Sequence, residues 1–410
     1  MSYNIGALPW PLFWGGTAGD PSGRVEEMGR HLNKFDIVGV QELWSYFSQF
    51  NRDLRFPYYS KGEHIYTTGN GLDFFSKFPM TKPRKLTFSN NEVYVNKGIL
   101  HSKVMVYPEI YIDVINAHTG DSHENIEAQV DEISAYIQTK IPRGNAVIVM
   151  GDFNASMWDD FMQDLRDDNG LTDSRSEKWS EDDSYNGFGG VDRIFFRGGE
   201  KVYLTLEHFE TIDNTPGDKD LYPLLFSRNG EQLSDHAPVV SILRYHIPEE
   251  YTIQGGQIVY LSDLKVKEAY NNSYDHGPIG IDQTVGGGGA YDGKTLRMDP
   301  RTYEKGLGVH APSQMIFQIN GDYDRFRADI GVDEESDVNG KVSFRVYGDN
   351  EIIYNSGPME PWTPTKVIDV NVCGVRELRL RVRTEGSDRW DHADWANAHL
   401  VRSHEYEYAD

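Results

Sequence analysis

The stretch Ala146-Val147-Ile148-Val149-Met150-Gly151-Asp152-Phe153-Asn154 decides the fold class, because five unbroken apolar residues end abruptly in glycine, carboxylate and amide. A run of that length, rich in β-branched side chains, predicts a strand buried on both faces. The runs Asp36–Val40, Ile110–Ala117 and Val191–Phe196 have the same texture, each followed by polar residues. Between them Val25, Met28 and Leu32, and then Ile126, Val130, Ile133 and Ile137, recur at helical spacing with charges filling the opposite face. Strands alternating with amphipathic helices predict an α/β core. The acidic stretch Asp159–Asp168 reads as a solvated helix face and its following loop.

Past Tyr245 the texture changes. Pro248-Glu249-Glu250 makes a polar break, helical periodicity stops, and Gly286 to Gly289 run unbroken. Phe344 and Val346 then alternate with Ser343, Arg345 and Tyr347, and Leu378, Leu380 and Val382 with Arg379, Arg381 and Arg383. Period two with one polar side predicts antiparallel sheet. A chain of 410 residues exceeds one ordinary core, so two units are expected: 1–246, a linker at 247–256, and 257–404.

Composition narrows the function classes. Hydrophobic residues at 38% and aromatics at 12% suffice for cores, which excludes wholesale disorder. A net charge of -24 repels polyanions at long range, so no stable nucleic-acid partner is expected. The single Cys373 is uninformative about compartment. No apolar run approaches the ~20 residues of a spanning helix, which predicts a soluble chain. Tyr3-Asn4-Ile5 reads as the end of a first strand that begins almost at the first residue, so a removed N-terminal signal, and a secreted or periplasmic protein, are expected, with the cytoplasm left open.

Several residues able to hold a cation or move protons stand at the ends of the apolar runs, where α/β proteins build their sites. Asn4 closes the first strand, Glu42 the second, His118 follows Ile110–Ala117, and Asp152 and Asn154 follow Ala146–Met150. Asp192 opens the next strand, and Asp235-His236 precede Ala237-Pro238-Val239-Val240. Singly, each is as readily a surface carboxylate, a structural histidine or an Asx turn.

Taken in order, Tyr3-Asn4-Ile5, Val40-Gln41-Glu42, Gly151-Asp152-Phe153-Asn154, Val191-Asp192-Arg193-Ile194 and Leu233-Ser234-Asp235-His236-Ala237-Pro238 resemble the motifs of the endonuclease/exonuclease/phosphatase superfamily, the pancreatic-deoxyribonuclease-like enzymes. The resemblance spans roughly residues 1–245 and implies a four-layer α/β sandwich, two packed sheets flanked by helices. It implies that Glu42 binds a hard cation with Asn4 and Asp235 nearby. It implies also that Asp152 and Asn154 orient phosphate and water, and that His236 is general base. Asp192 would hold the other nitrogen of His236, and His118 would face the phosphoryl group as donor or general acid. Magnesium suits such an oxygen-rich site, with Mn2+ or Ca2+ as alternatives.

The substrate branch is less marked. Asn4 to Pro9 with Trp14-Gly15-Gly16, Ser76-Lys77-Phe78-Pro79, Asn96-Lys97-Gly98, and Asn116 to Ser122 followed by Gln129 and Ile133 are similar to the neutral sphingomyelinases. That likeness implies a phosphodiester substrate in a lipid headgroup at a membrane surface. The aromatic loop Leu8–Trp14 would then be either a membrane contact or core packing. The Asp173–Gly190 region departs from the sphingomyelinase pattern. A deoxyribonuclease or an inositol-phosphate phosphatase is the rival within the superfamily, Val191-Asp192-Arg193-Ile194 looking most like the nuclease motif.

From about Gln257 to Val401 the chain resembles the NPCBM-type carbohydrate-binding modules, through Tyr260 to Leu264, Tyr303 to Ala311, Tyr323 to Asp333 and His392 to Ala398. This implies a jelly-roll-like, all-β sandwich and a glycan ligand. Trp390, Trp395, Asp394 and His310 are the candidate sugar contacts, with Trp362 an outlying one and core packing of Trp395 and His310 the alternative. A third reading makes the protein a glycan-binding surface protein with an inactive catalytic part. Retention of every carboxylate and both histidines weighs against it.

Overall fold

The computed structural model describes residues 1–7, 21–60, 69–91, 96–120, 122–156, 158–178, 190–212, 233–248, 251, 258–271, 278–286, 292–298, 301–336 and 340–402. The Leu8–Trp14 loop, most of the segment between Asp173 and Gly190, and most of the 247–256 linker lie outside the described residues.

Two six-stranded sheets form the N-terminal part. The first contains β1 (Ser2–Asn4), β2 (Ile37–Gln41), β3 (Tyr58–Tyr59) and β4 (Asp73–Ser76). The second contains β5 (Arg84–Thr87), β6 (Gly98–Tyr107), β7 (Ile110–His118), β8 (Ala146–Asp152), β9 (Thr172–Asp173) and β10 (Asp192–Arg197). Then β11 (Tyr203–Thr211) and β12 (Val239–His246) return to the first sheet, giving the orders β11-β12-β1-β2-β4-β3 and β5-β6-β7-β8-β10-β9. All seven residues of β8 are buried, as the apolar run demands. It is parallel to β7 and antiparallel to β10.

Alternation along these strands builds three apolar layers. Val114, Ile148, Met150 and Ile194 face Phe74, Phe209 and Val239 of the other sheet. On the outside, Ile115, Val147, Val149 and Phe195 meet Ile126, Val130, Ile133 and Ile137 of the helix His123–Lys140. On the other outside, Tyr3, Val38 and Val40 meet Val25, Met28 and Leu32 from the helix Pro21–His31 and the turn after it. The four layers, helix, sheet, sheet and helix, follow from strands that are apolar on both faces. Each buried aliphatic side chain contributes roughly 1.5–3 kcal/mol.

The C-terminal part is all β. One sheet comprises β13 (Ile258–Tyr260), β15 (Gly280–Ile281), β18 (Gly306–His310), β20 (Arg325–Val332), β23 (Lys366–Asn371) and β25 (His392–Val401). The facing sheet has the order β14 (Glu268–Tyr270), β19 (Ser313–Gln318), β24 (Glu377–Thr384), β21 (Val342–Gly348), β22 (Glu351–Met359). A hairpin of β16 (Leu296–Met298) and β17 (Arg301–Tyr303) stands apart. Phe326, Phe344, Val346, Leu378, Leu380, Val382 and Trp395, all fully buried, fill the space between the sheets.

The two parts share backbone hydrogen bonds: Val266 N donates to Lys77 O at 2.8 Å, Ala269 N to Arg55 O at 3.2 Å and Ile279 N to Pro57 O at 3.2 Å. Lys265 pairs with Asp36 at 2.8 Å.

Candidate active site

The same edge of the two facing sheets collects Asn4 from the end of β1, Glu42 after β2, His118 from the end of β7, Asp152 from the end of β8 and Asp192 from the start of β10. Register makes this obligatory for two of them, since Asp192 lies directly opposite Asp152. Gly151 is required beside them, because a Cβ there would stand 2.1 Å from Ala117 O.

Asp152 organises the floor. Its Oδ2 accepts from Asn4 Nδ2 at 2.9 Å, and its Oδ1 from the backbone N of Asn154 at 3.0 Å. Asn154 takes a left-handed φ of 47° and donates its side-chain amide to Thr119 O at 3.1 Å. Glu42 is also left-handed at φ 59°, a costly conformation for a residue bearing a Cβ. Burial raises its pKa, as do Asp152 and Asp235, while Lys97 and His236 oppose the rise.

His236 Nδ1 lies 2.8 Å from Asp192 Oδ2, and its Nε2 is 3.8 Å from Asp152 Oδ2. Burial pulls the pKa of His236 down, but the hydrogen bond and charge of Asp192, with Asp152 and Asp235, outweigh it and raise it to about 10. Asp192 keeps one buried oxygen, Oδ1, without a partner among the described residues. The neighbouring Asp235 approaches Gly6 so closely that a Cβ there would meet its Oδ1 at 2.7 Å, and Gly6 is left-handed at φ 53°.

Arg24, from the helix Pro21–His31, clamps the two loops that carry these groups, donating to Ile5 O at 3.0 Å, Gly6 O at 2.6 Å and Leu233 O at 2.5 Å.

His118 is buried, and its Nε2 lies 2.5 Å from Lys97 Nζ, 3.5 Å from Asp152 Oδ2 and 3.7 Å from Glu42 Oε1. Burial lowers its pKa well below the ordinary value, and the charges of Lys97 and His236 add to this. Lys97 Nζ as an ammonium can only donate, which makes His118 Nε2 the acceptor of this contact. Sequence reasoning quoted Lys97 inside a motif without giving it a role. A lysine only 5% exposed at a strand's approach is the signal that burial supplies and sequence does not.

In the C-terminal part the four candidate sugar contacts separate. Trp395 is fully buried, its ring 5.0 Å from Phe344 and 6.5 Å from Phe326, so it belongs to the sandwich core and not to a ligand face. His310 is likewise fully enclosed, its Nδ1 donating to Ala311 O at 2.8 Å. The pleat turns Trp395 inward beside Leu307, whereas His310 lies on the other face of that sheet, directly opposite His392 with ring centroids 5.2 Å apart. Asp394 alternates with Trp395 on β25 but is itself buried, and burial with the neighbouring Asp333 raises its pKa well above the ordinary value. Trp390 is 48% exposed and stacks on His392 at 6.4 Å and 28°. Together with Asp333, Glu335, Lys294 and Arg297 these two rings line a concavity of about 590 Å³. Trp362, at 65% exposure, is not among its walls.

Residues 1–236 match the Endonuclease/Exonuclease/phosphatase family. The chain belongs to that family. Its residues 257–401 match the NPCBM/NEW2 domain. A sphingomyelinase of Mycobacterium tuberculosis is 28% identical over 268 residues, 60% of this chain and 52% of that protein. The alpha-1,3-galactosidase B of Akkermansia muciniphila is 30% identical over 106 residues, 25% of this chain and 13% of that protein. A solved CBM51 module of Clostridium perfringens in complex with methyl-galactose shares 34% identity, covering 35% of this chain and 99% of that one with a TM-score of 0.32. The chain thus spans about half the length of the sphingomyelinases it matches.

Endonuclease/Exonuclease/phosphatase members are generally divalent-metal dependent, and the donor set here fits a hard cation. Asp152, Asp192 and His236 have potential ligand atoms all within 4.8 Å of one another. His236 and Asp192 already satisfy each other through Nδ1 and Oδ2. Glu42 interacts electrostatically with Asp152 and with Asp235, so three carboxylates share this edge with the cations Arg24, Lys97 and His236. Carboxylate oxygens of this kind suit a hard divalent ion.

Proposed function

We propose that the protein is a divalent-metal-dependent phosphodiesterase of sphingomyelinase type, hydrolysing a headgroup phosphodiester by direct water attack. The observation that carries this reading is the Asp192–His236 pair standing over Asp152, beside Glu42 and Asn4. In it, residues 1–246 are the catalytic unit, joined through 247–256 to a sandwich at 257–404.

Asp192 accepts from Nδ1 of His236 and so aims Nε2 at the water; with its pKa raised to about 10 the ring takes a proton only from its deprotonated fraction, which grows as pH rises. The imidazolium formed is stabilised by the carboxylate against it. Asp152 fixes the turn into which Asn154 is set, and Asn154 presents its side-chain oxygen to the attacking water. Lys97, carrying the proton that His118 shares, supplies positive charge to the phosphoryl oxygens and a proton toward the departing oxygen. Glu42, with Asn4 and Asp235, would hold the cation, commonly magnesium, which polarises the phosphoryl group and stabilises developing charge when bound.

The similarity to named sphingomyelinases supports a lipid headgroup over nucleic acid, as does the net charge of -24. Among the described residues no helix is long and apolar enough to cross a membrane, so the lipid would be met at a surface. Its sugar-module relatives support a secreted or periplasmic protein over a cytoplasmic one. Incubation with magnesium against sphingomyelin vesicles, plasmid DNA and inositol polyphosphates in parallel tests the reading. Release of phosphocholine alone supports it; cleavage of DNA or of the inositol phosphate, with sphingomyelin untouched, moves the chain to a rival branch.

A second reading concerns the sandwich. The stacked Trp390 and His392 beside a polar concavity support recognition of a sugar ring by one aromatic face and a few carboxylates. Binding of methyl-galactose by the whole protein, lost in Trp390→Ala, is the test.

A further inference from the structure

The outward face of the sheet β14-β19-β24-β21-β22 carries a group of guanidinium side chains that neither the fold nor either site above employs. Along β24, Leu378, Leu380 and Val382 are fully buried, so Arg379, Arg381 and Arg383 all turn the other way. Along β21, Phe344 and Val346 are fully buried, which turns Arg345 and Tyr347 outward too.

Register sets Arg345 directly opposite Arg381, with Tyr347 opposite Arg379 and Ser343 opposite Arg383. On the other side Gln314 lies opposite Arg381, and Tyr270 opposite Gln314. Beyond Arg345 comes Asn355. A single transverse row, Tyr270, Gln314, Arg381, Arg345 and Asn355, therefore crosses all five strands.

This row works against stability. Like charges directly opposite on neighbouring strands repel, in a protein whose net charge of -24 offers many carboxylates that could have been placed between them. Arg379 is anchored, donating to Asn350 Oδ1 at 2.8 Å and Glu377 Oε1 at 3.3 Å and lying over Tyr347. Arg345, Arg381 and Arg383 have no acidic partner within ion-pair distance among the described residues, and Arg345 Nε is buried without a hydrogen-bond acceptor. A planar guanidinium fork is matched by carboxylate, sulfate or phosphate. Neighbouring forks here repeat at roughly 5 Å across the strands and about 7 Å along them.

We propose that this face binds an acidic polysaccharide bearing sulfate or carboxylate groups at regular intervals. The side chains flanking the arginine pair favour it over other polyanions. Gln314 and Asn355 offer amides suited to sugar hydroxyls. A membrane surface would want apolar side chains among the cations, and Ile352 stands alone at the margin. A nucleic acid would want free rings interleaved with them, and Tyr347 is already covered by Arg379 and Tyr270 by Arg55. The site is separate from the concavity at Trp390, whose aromatic partner His392 belongs to the opposite sheet, and independent of the phosphodiesterase reading.

The test is calorimetric titration of the whole protein with a heparin octasaccharide, at about 50 and about 200 mM salt, with neutral dextran, phosphatidylglycerol vesicles and a single-stranded oligonucleotide as comparisons. Heparin fragments should bind, weaken with salt, and lose about tenfold in affinity in Arg381→Gln and more in the Arg345→Gln/Arg381→Gln double variant. The variants should keep or raise the wild-type Tm, because a repulsion is removed; Arg381→Lys, charged but not forked, should bind between the two. Heparin binding that is absent at low salt, or unchanged in the double variant, overturns the proposal. So does equal affinity for dextran, or capture of vesicles or oligonucleotide in place of the oligosaccharide.

Discussion

His236 and Asp192 are joined Nδ1 to Oδ2 at 2.8 Å, although 44 residues separate them in the chain. The contact fixes the tautomer of the imidazole and therefore which nitrogen is available above Asp152. Asp192→Asn keeps the shape but removes the charge that holds the ring. It should lower kcat for phosphodiester hydrolysis by about 10²- to 10⁴-fold with little change in KM. Steady-state kinetics on vesicles check this, and an unchanged kcat would remove His236 from the role of base.

Lys97 should prove as necessary as either histidine. Lys97→Met deletes the cation bonded to His118 and raises the cost of the Glu42 carboxylate that Lys97 now stabilises. A loss of about 10²-fold or more in kcat is expected. Circular dichroism should show the fold retained, and activity near wild type would make Lys97 a structural residue.

The two tryptophans of the sandwich should respond oppositely. Trp395→Ala empties a fully packed position and should cost about 3–5 kcal/mol in urea unfolding. Trp390→Ala should stay within about 0.5 kcal/mol of wild type. If Trp390→Ala destabilised as much, the exposed ring would be part of the core after all.

His31 makes stability sensitive to acid. Burial lowers its pKa to about 4, with the charge of Lys34 adding to the effect, against 6.5 in the unfolded chain. Between those values the unfolded chain binds more protons than the native one. The contribution is therefore complete above about 6.5 and lost as pH falls through about 4. Urea midpoints measured across that range should fall less steeply in His31→Gln than in wild type; parallel curves would contradict the assignment.

What was legible in the sequence depended on how the signal is carried. The strand Ala146–Asp152 and the helix around Ile133 were readable because burial on two faces and on one leaves different periodicities. The polar residues at strand ends were readable because order along the chain, Asn4 through His236, is preserved whatever the loops do. The distinction between Trp390 and Trp395 stayed open in the sequence, which offered core packing of Trp395 only as an alternative. Alternation along His392–Val401 says that two faces exist but not which one meets the opposite sheet. Lys97 escaped for a related reason, since its burial beside His118 arises from the β6–β7 pairing that sets Gly98 opposite His118. The repulsive pair Arg345–Arg381 needs register, which no single strand contains.

The most direct test of a metal-dependent phosphodiesterase at this edge is phosphocholine release from sphingomyelin vesicles as magnesium is titrated into metal-free protein, for wild type, Glu42→Gln and His236→Ala. The account predicts saturable activation of wild type, abolished by EDTA. It predicts a curve for Glu42→Gln displaced to higher magnesium with a lower plateau, and no activation of His236→Ala at any concentration. Activity in wild type that ignores both EDTA and magnesium, or a Glu42→Gln curve superimposed on wild type, would contradict it.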